Sequence, residues 1–226
     1  MTPTSTPSPA PTECPTAAGA PSLALTLRER TAEAHRHAES HPVQHRMVRG
    51  CVDRAGYARW LSQLLPVWQA IDAGLASLAA RDPRVARVRQ AYHTHAPRIT
   101  ADLAYLGAAP TAAVPEALRL RDRIESLAAA GDAALLGAWY VLEGSANGGQ
   151  YIAKALARSL GLSGPEGLTS LDPHGSAQRE RWQAWRAAID TQPWDDAERT
   201  RMVDEATATF GAISAVMDGM ERCVPG

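Results

Sequence analysis

"YVLEGSANGGQYIAK", Tyr140 to Lys154, decides how the rest of the chain is read. Helix formers flank it on both sides, yet Gly144, Gly148 and Gly149 lie in its middle, joined by Ser145 and Asn147. Each glycine in a helix interior costs about 1 kcal/mol relative to alanine. Gly144 and Gly148 are four residues apart and share a face, which Gly149 and Ser145 broaden. A face without side chains lets the backbone come into van der Waals contact with a flat ligand, and it lets the helix kink. Close packing against another helix would use the same pattern, so the stretch by itself leaves both readings open.

The composition narrows the class of protein. The chain has 226 residues, 45% of them apolar and 21% charged, which suits a globular protein with a sizeable core. A formal net charge of −1 supplies no general attraction to nucleic acid or to an anionic membrane surface. No apolar run approaches the roughly 20 residues of a membrane span. Cys14, Cys51 and Cys223 are far apart and no CxxC occurs, which speaks against a disulfide framework or a structural zinc site and fits a reducing cytoplasm. Cys14-Pro15 is a dipeptide found in some heme-sensing segments; here it reads as an inert tail cysteine. Residues 1–22 are Pro-, Thr-, Ser- and Ala-rich and lack Lys and Arg. They do not make a secretory signal and read as a disordered tail ahead of one domain spanning 23–226.

That domain reads as all-α. Strand-like alternation is absent and β-branched residues are sparse. Thr26 and Glu29 have capping-box spacing, which predicts a first helix from about Leu27 to Ser40. A short helix over Val43–Cys51 and a long one over Tyr57–Ala80, bent at Pro66, follow. Asp82-Pro83 predicts a helix start and a run to near His95. Further helices are expected over Pro97–Leu106, Pro115–Ala130, from Asp132 to Leu160 with Gly161 as terminator, Ser176–Asp190 and Asp195–Arg222. Trp60, Trp68, Trp185 and Phe210 read as core. His93 and His95 fall on opposite sides of their expected helix and support no site.

In "LRERTAEAHRHAESH" the residues Leu27, Thr31, Ala34, His35 and Ala38 fall on one face. This face is small apart from its histidine, and Glu39 lies one turn further on. A carboxylate there can fix the tautomer of a metal-bound imidazole. A partly buried histidine with a hydrogen-bond partner would look the same. Taken together, the two helices describe a sandwich: an axial histidine on one side, a bare and bent backbone on the other, and room for a planar macrocycle between them.

The two motifs, in this order and at this separation, resemble those of the heme oxygenases, nearest to the bacterial, bacteriophytochrome-associated branch. The resemblance runs from Leu23 to about Arg222. It includes "LDPHGSAQRERWQAWRAAI" and "MVDEATATF" as the two C-terminal helices. It implies a single-domain helical bundle with heme b held between a proximal and a kinked distal helix. His35 would be the axial iron ligand, with Thr31 and Glu39 beside it. Gly144, Ser145, Asn147 and Gly148 would face bound oxygen, with Gly149 adjoining. Arg28 and Arg186 match basic propionate contacts, while Arg179 and Arg181 read as surface residues.

The sequence departs from the family pattern in several places. Ser145 stands where many members have Asp, as it does in the bacteriophytochrome-associated branch. Asn147 stands where that branch often has an apolar residue, and either donates into the distal pocket or caps the broken turn. Trp182 and Trp139 stand where animal enzymes place a Lys and a Tyr on propionate. The resemblance implies ring opening of heme, both substrate and cofactor, to biliverdin, carbon monoxide and ferrous iron. Oxygen and an external donor, a ferredoxin or a reductase, would be consumed, and a bilin-using phytochrome could accept the product.

Three other readings compete. A heme-binding or heme-transport protein of the same fold would not open the ring. A non-heme metal site could use His37, His41 and His45, but Pro42 interrupts their helix and no Glu-x-x-His pair occurs. These histidines read as solvated. A purely structural module gives no reason for a bare strip opposite one histidine.

Overall fold

The computed structural model describes residues 21–222. The tail over residues 1–20, Cys14 and Cys223 lie outside the described residues. Eleven α-helices and two short 3-10 turns follow one another, and no strand occurs among the described residues. The helices are α1 (Leu23–Arg30), α2 (Ala32–Glu39), α3 (Pro42–Val48), α4 (Arg54–Arg81), α5 (Pro83–Val88), α6 (Ala96–Tyr105), α7 (Pro115–Ala130), α8 (Leu135–Gly144), α9 (Ala146–Leu160), α10 (Gln178–Asp190) and α11 (Asp196–Arg222).

The core lies where α4, α7, α8 and α11 meet. Small residues bring those helices close. A Cβ at Gly137 of α8 would overlap the Met202 carbonyl oxygen of α11, and one at Gly74 of α4 would stand 3.0 Å from Ala128 of α7. Around these crossings Tyr57, Ile71, Leu75, Leu135, Leu136 and Met202 are fully buried. Burying one such side chain stabilises the fold by roughly 1.5–3 kcal/mol. Pro66 lies inside α4. Trp60, Trp68 and Trp185 are core residues, whereas Phe210 is only partly buried.

Several helix boundaries differ from the sequence reading, each for a physical reason. The first helix starts at Leu23, and Ser22 is its cap: the Ser22 hydroxyl accepts from Leu25 N–H at 3.0 Å. Asp190, at the far end of α10, accepts from the Ser22 hydroxyl at 2.7 Å and from Ala24 N–H at 2.9 Å. Thr26 therefore sits inside α1 and donates to the Ser22 carbonyl, and the Thr26/Glu29 capping box does not form. The helix then breaks at Thr31, whose N–H and hydroxyl both donate to the Leu27 carbonyl. Such back-bonding competes with the helical ladder and bends it.

Asp82 caps α5 as expected, but α5 ends at Val88. The chain from Arg89 is extended and then makes a 3-10 turn over Ala91–His93. His93 and His95 are thus not on an α-helix at all, and both side chains are buried. His41 is not solvated either: its Nδ1 accepts from Val43 N–H at 3.1 Å and its Nε2 lies 3.1 Å from Asp218.

Candidate functional site

The segment from Asp132 to Leu160 is two helices. Asp132 accepts from Ala134 N–H, and α8 and α9 are separated at Ser145. The hydrogen bonds show how the break is made. Gly148 N–H turns to the Ser145 carbonyl at 3.1 Å, as Gly149 N–H does at 2.8 Å. The Gly144 carbonyl is taken instead by the Asn147 side chain, whose Nδ2 donates to it at 2.9 Å. Asn147 therefore caps the broken turn. Its Oδ1 accepts from Gln178 Nε2 at 3.2 Å, so the amide is held at both ends. The Ser145 hydroxyl donates to the Leu142 carbonyl at 2.6 Å.

The glycines do different jobs. Gly148 is exposed, and a Cβ built there meets nothing within 4 Å. Gly144 is half-buried, and its Cβ would stand 3.1 Å from the Trp182 indole. Gly149 faces the other way. A Cβ there would overlap the Leu171 carbonyl oxygen, so this glycine serves packing against the loop after α9 rather than the bare strip.

Across from the break, α2 packs on α1, α3 and α11 and makes no comparable packing with α8 or α9. His35 projects from α2 with its side chain 52% exposed; its ring meets Phe210 of α11 edge-on at 5.2 Å. Gly211, next to Phe210, also has open space at its Cβ position. Glu39 Oε1 lies 3.5 Å from His35 Nε2, and its side chain is 59% exposed. His35 thus sits with Phe210 and Gly211 where α2 meets α11, while Gly144 and Gly148 lie on the two sides of the α8–α9 break. Clefts of about 440 Å³ against α4 and α7, and of about 730 Å³ among α3, α4 and α11, are lined by none of these residues.

The Tyr140 phenol of α8 is pushed up from its usual pKa, first by burial. A hydrogen bond with Thr31 and the positive charges of Arg186 and Arg28 pull it back down. The charges of Arg28 of α1 and Arg186 of α10 are thus felt at Tyr140, and the Trp182 ring lies 5.6 Å from it between centroids. Trp139, the expected ligand contact, is instead fully buried, edge-on to His93 and Trp185. One residue of helix rotation, 100°, puts Tyr140 where Trp139 was expected. Thr31 is likewise buried, and its hydroxyl donates to the Leu27 carbonyl of α1.

Behind the break lies a cluster that the sequence reading missed. Glu143, buried at the end of α8, has Oε2 2.8 Å from His95 Nε2 and Oε1 2.9 Å from His174 Nε2. His93 Nε2 lies 4.0 Å from the same carboxylate and has no other partner. Burial alone would push the Glu143 carboxyl up, but the hydrogen bonds from His174 and His95 outweigh it and hold the carboxyl well below the usual range. Burial lowers His93 to about 4. Only the spacing H-T-H at 93–95 hinted at this cluster. His174 and Glu143 come from loops and helices far apart in sequence.

The comparisons with known proteins agree with this architecture. The family model described as heme oxygenase matches residues 21–218. Heme oxygenase-2 from Synechocystis sp. PCC 6803, solved with heme and NO, is 24% identical with a TM-score of 0.82, over 89% of this chain and 86% of that one. The heme oxygenase from Leptospira interrogans is 23% identical with a TM-score of 0.78, over 86% and 98%. Heme oxygenase-1 from Synechocystis sp. PCC 6803, solved with heme, is 22% identical with a TM-score of 0.79, over 89% and 93%. No curated protein gives a significant match. An all-helical fold and a family match spanning residues 21–218 lead to one conclusion: the chain belongs to the heme oxygenase family.

Proposed function

We propose that the slot between α2 and the α8–α9 break binds heme b, and that the protein opens its ring to biliverdin, carbon monoxide and ferrous iron. The observation that carries this reading is an open imidazole together with an open stretch of backbone at a helix break. His35 of α2 is half exposed, the Cβ position of Gly148 is open, and α2 packs mainly on α1, α3 and α11 rather than on α8 or α9. A planar group fits there, and an imidazole is a suitable axial donor to iron. When bound, heme supplies the iron at which O2 is activated and is also the molecule consumed.

The chain's own residues supply binding and orientation. His35 donates a ring nitrogen, with Glu39 near enough to orient the imidazole. Arg28 and Arg186, flanking Tyr140, hold the propionates by charge-assisted hydrogen bonds. Trp182 lies against Gly144 and supports the edge of the slot. Gly144 and Gly148 keep side chains out of the space above the ring. Ser145 and Asn147, both engaged with backbone carbonyls, shape the break rather than donate into the slot. Electrons come from outside, from a ferredoxin or a reductase.

Ser145 directly after Gly144 matches the bacteriophytochrome-associated branch, which supports bilin supply to a phytochrome as the purpose. No described helix is long and apolar enough to cross a membrane, and Cys51 is free, in keeping with a cytoplasmic enzyme. The test is to load the protein with heme and add ascorbate or a ferredoxin system under air. The Soret band is expected to bleach while a bilin band grows in the red. A Soret band that persists under turnover conditions overturns ring opening and leaves a heme-holding protein.

A further inference from the structure

We infer that Glu143 is the positioning residue of the distal break, and so sets which edge of the ring is attacked. The inference rests on the reading of the slot as the heme site. A strip of glycines offers no side chains to fix its own rotation. If the front of the break must stay bare, its orientation has to be held from behind, and Glu143 is the side chain that does so. Its carboxylate joins α8 to two separate segments: His95, ahead of α6, and His174, in the loop between α9 and α10.

The histidine tautomers make this a clamp rather than a cation site. His95, Glu143 and His174 offer ligand atoms within 4.8 Å of one another, a spacing that would suit a divalent metal. A metal-bound imidazole needs a lone pair on the ligating nitrogen and usually gives its other N–H to an acceptor. Here the other nitrogen of His174 receives an N–H from Arg181, 2.9 Å away, and a guanidinium can only donate. The other nitrogen of His93 receives Gln90 N–H at 3.0 Å. Both rings therefore carry their proton on Nε2; that of His174 is donated to Glu143 at 2.9 Å, while that of His93 lies 4.0 Å from the carboxylate, beyond hydrogen-bond reach. An ionised carboxylate satisfies such donors, whereas a metal would have to displace them.

The loop behind the break and the first residue of α10 meet the break at two more points. The Leu171 carbonyl packs on Gly149, and Gln178 holds Asn147, which holds the Gly144 carbonyl. The loop is fixed in turn to α6. Asp102 accepts from Thr169 N–H at 3.0 Å, from the Thr169 hydroxyl at 2.7 Å and from Ser170 N–H at 2.7 Å. His95 is fixed similarly, its N–H donating to Asp72 at 3.0 Å. The break is thus held against a plate that is itself anchored, and Glu143, next to Gly144 in the chain, carries the buried charged bonds to it.

Hydrogen–deuterium exchange on the heme-free protein, with product chromatography after heme turnover, tests this. Glu143→Leu leaves buried imidazole N–H groups without an acceptor. It is expected to speed exchange at amides 145–149 by about 10-fold, with little change in α4 and α7. It should also turn a single biliverdin isomer into a mixture. Glu143→Gln keeps an acceptor for His174, and His95 can switch tautomer to meet the amide, so this variant should retain wild-type exchange and one isomer. Where Glu143→Leu does not fold, His174→Ala carries the same expectation with a smaller effect. Unchanged exchange at 145–149 in the folded leucine or alanine variant overturns the inference, as does a single unchanged isomer. The exchange experiment needs no turnover, so a wild-type protein that fails to open heme removes the proposed function without deciding the role of Glu143.

Discussion

The two sides of the α8–α9 break follow opposite rules. On the front, His35 and Glu39 are more than half exposed and the Gly148 Cβ position is empty. On the back, Glu143, His95 and His174 are buried, and the carboxylate is bonded on both oxygens. Buried polar groups are costly unless hydrogen-bonded, so the back has one arrangement. The front has nothing to satisfy until a ligand arrives. One stretch of chain thus serves as a rigid support on one side and as an open surface on the other.

Four experiments can break or sharpen that contrast. The largest effect is expected from His35→Ala. It should lower heme affinity or turnover by more than about 100-fold, beyond the range for groups that only orient a ligand, and shift the Soret band. A heme titration that leaves the Soret band unmoved would place the axial ligand elsewhere. The same change should leave the melting temperature of the heme-free protein nearly unaltered, because His35 contributes little to the core.

Acid should act on the back of the break. Burial holds His93 at about 4 against an ordinary value of 6.5. As pH falls below 6.5 the unfolded chain takes up a proton that the folded chain refuses until about pH 4. Stability is therefore full above that window and lost through it, by on the order of 3 kcal/mol. Denaturant titrations between pH 7 and 4 should show this loss, and His93→Gln should flatten it. An acid limb identical in the variant would locate the sensitive group elsewhere.

Gly149 and Gly148 then offer a matched pair, adjacent in sequence and opposite in setting. Gly149→Ala forces a methyl into the Leu171 carbonyl and should destabilise the fold by about 2 kcal/mol, a drop of roughly 4–8 °C in melting temperature. Gly148→Ala adds a methyl in open space within α9 and should stabilise the heme-free protein by about 1 kcal/mol while weakening heme binding. Equal effects of the two substitutions on melting temperature would mean that the break has no distinct front and back.

The sequence alone determined more of the front than of the back. Helix content followed from the apolar spacing and from Pro, Asp and Gly at the boundaries, because those signals act within one turn of chain. His35 and the glycines were legible as a pair for the same reason: each is a local irregularity in an otherwise ordinary helix. The clearest local misreading, the Thr26 cap, failed because a distant group won. Asp190 of α10 supplies the acceptor that the N-terminus of α1 needs, and Ser22 rather than Thr26 lies within its reach. Trp139, expected at the ligand, is fully buried against Trp185, because packing against α10 sets the rotation of α8.

What the tertiary structure alone decided is the buried carboxylate and its histidines. His95, Glu143 and His174 come from three segments 48 and 31 residues apart, and no local pattern ties them together. Hydrogen bonding between buried side chains depends on where loops close, and loop closure is set by the whole core. The chain therefore announces the groups it leaves exposed, since these break a local rule. It conceals the groups that hold them in place, since each of those breaks no rule until the fold brings it to its partner.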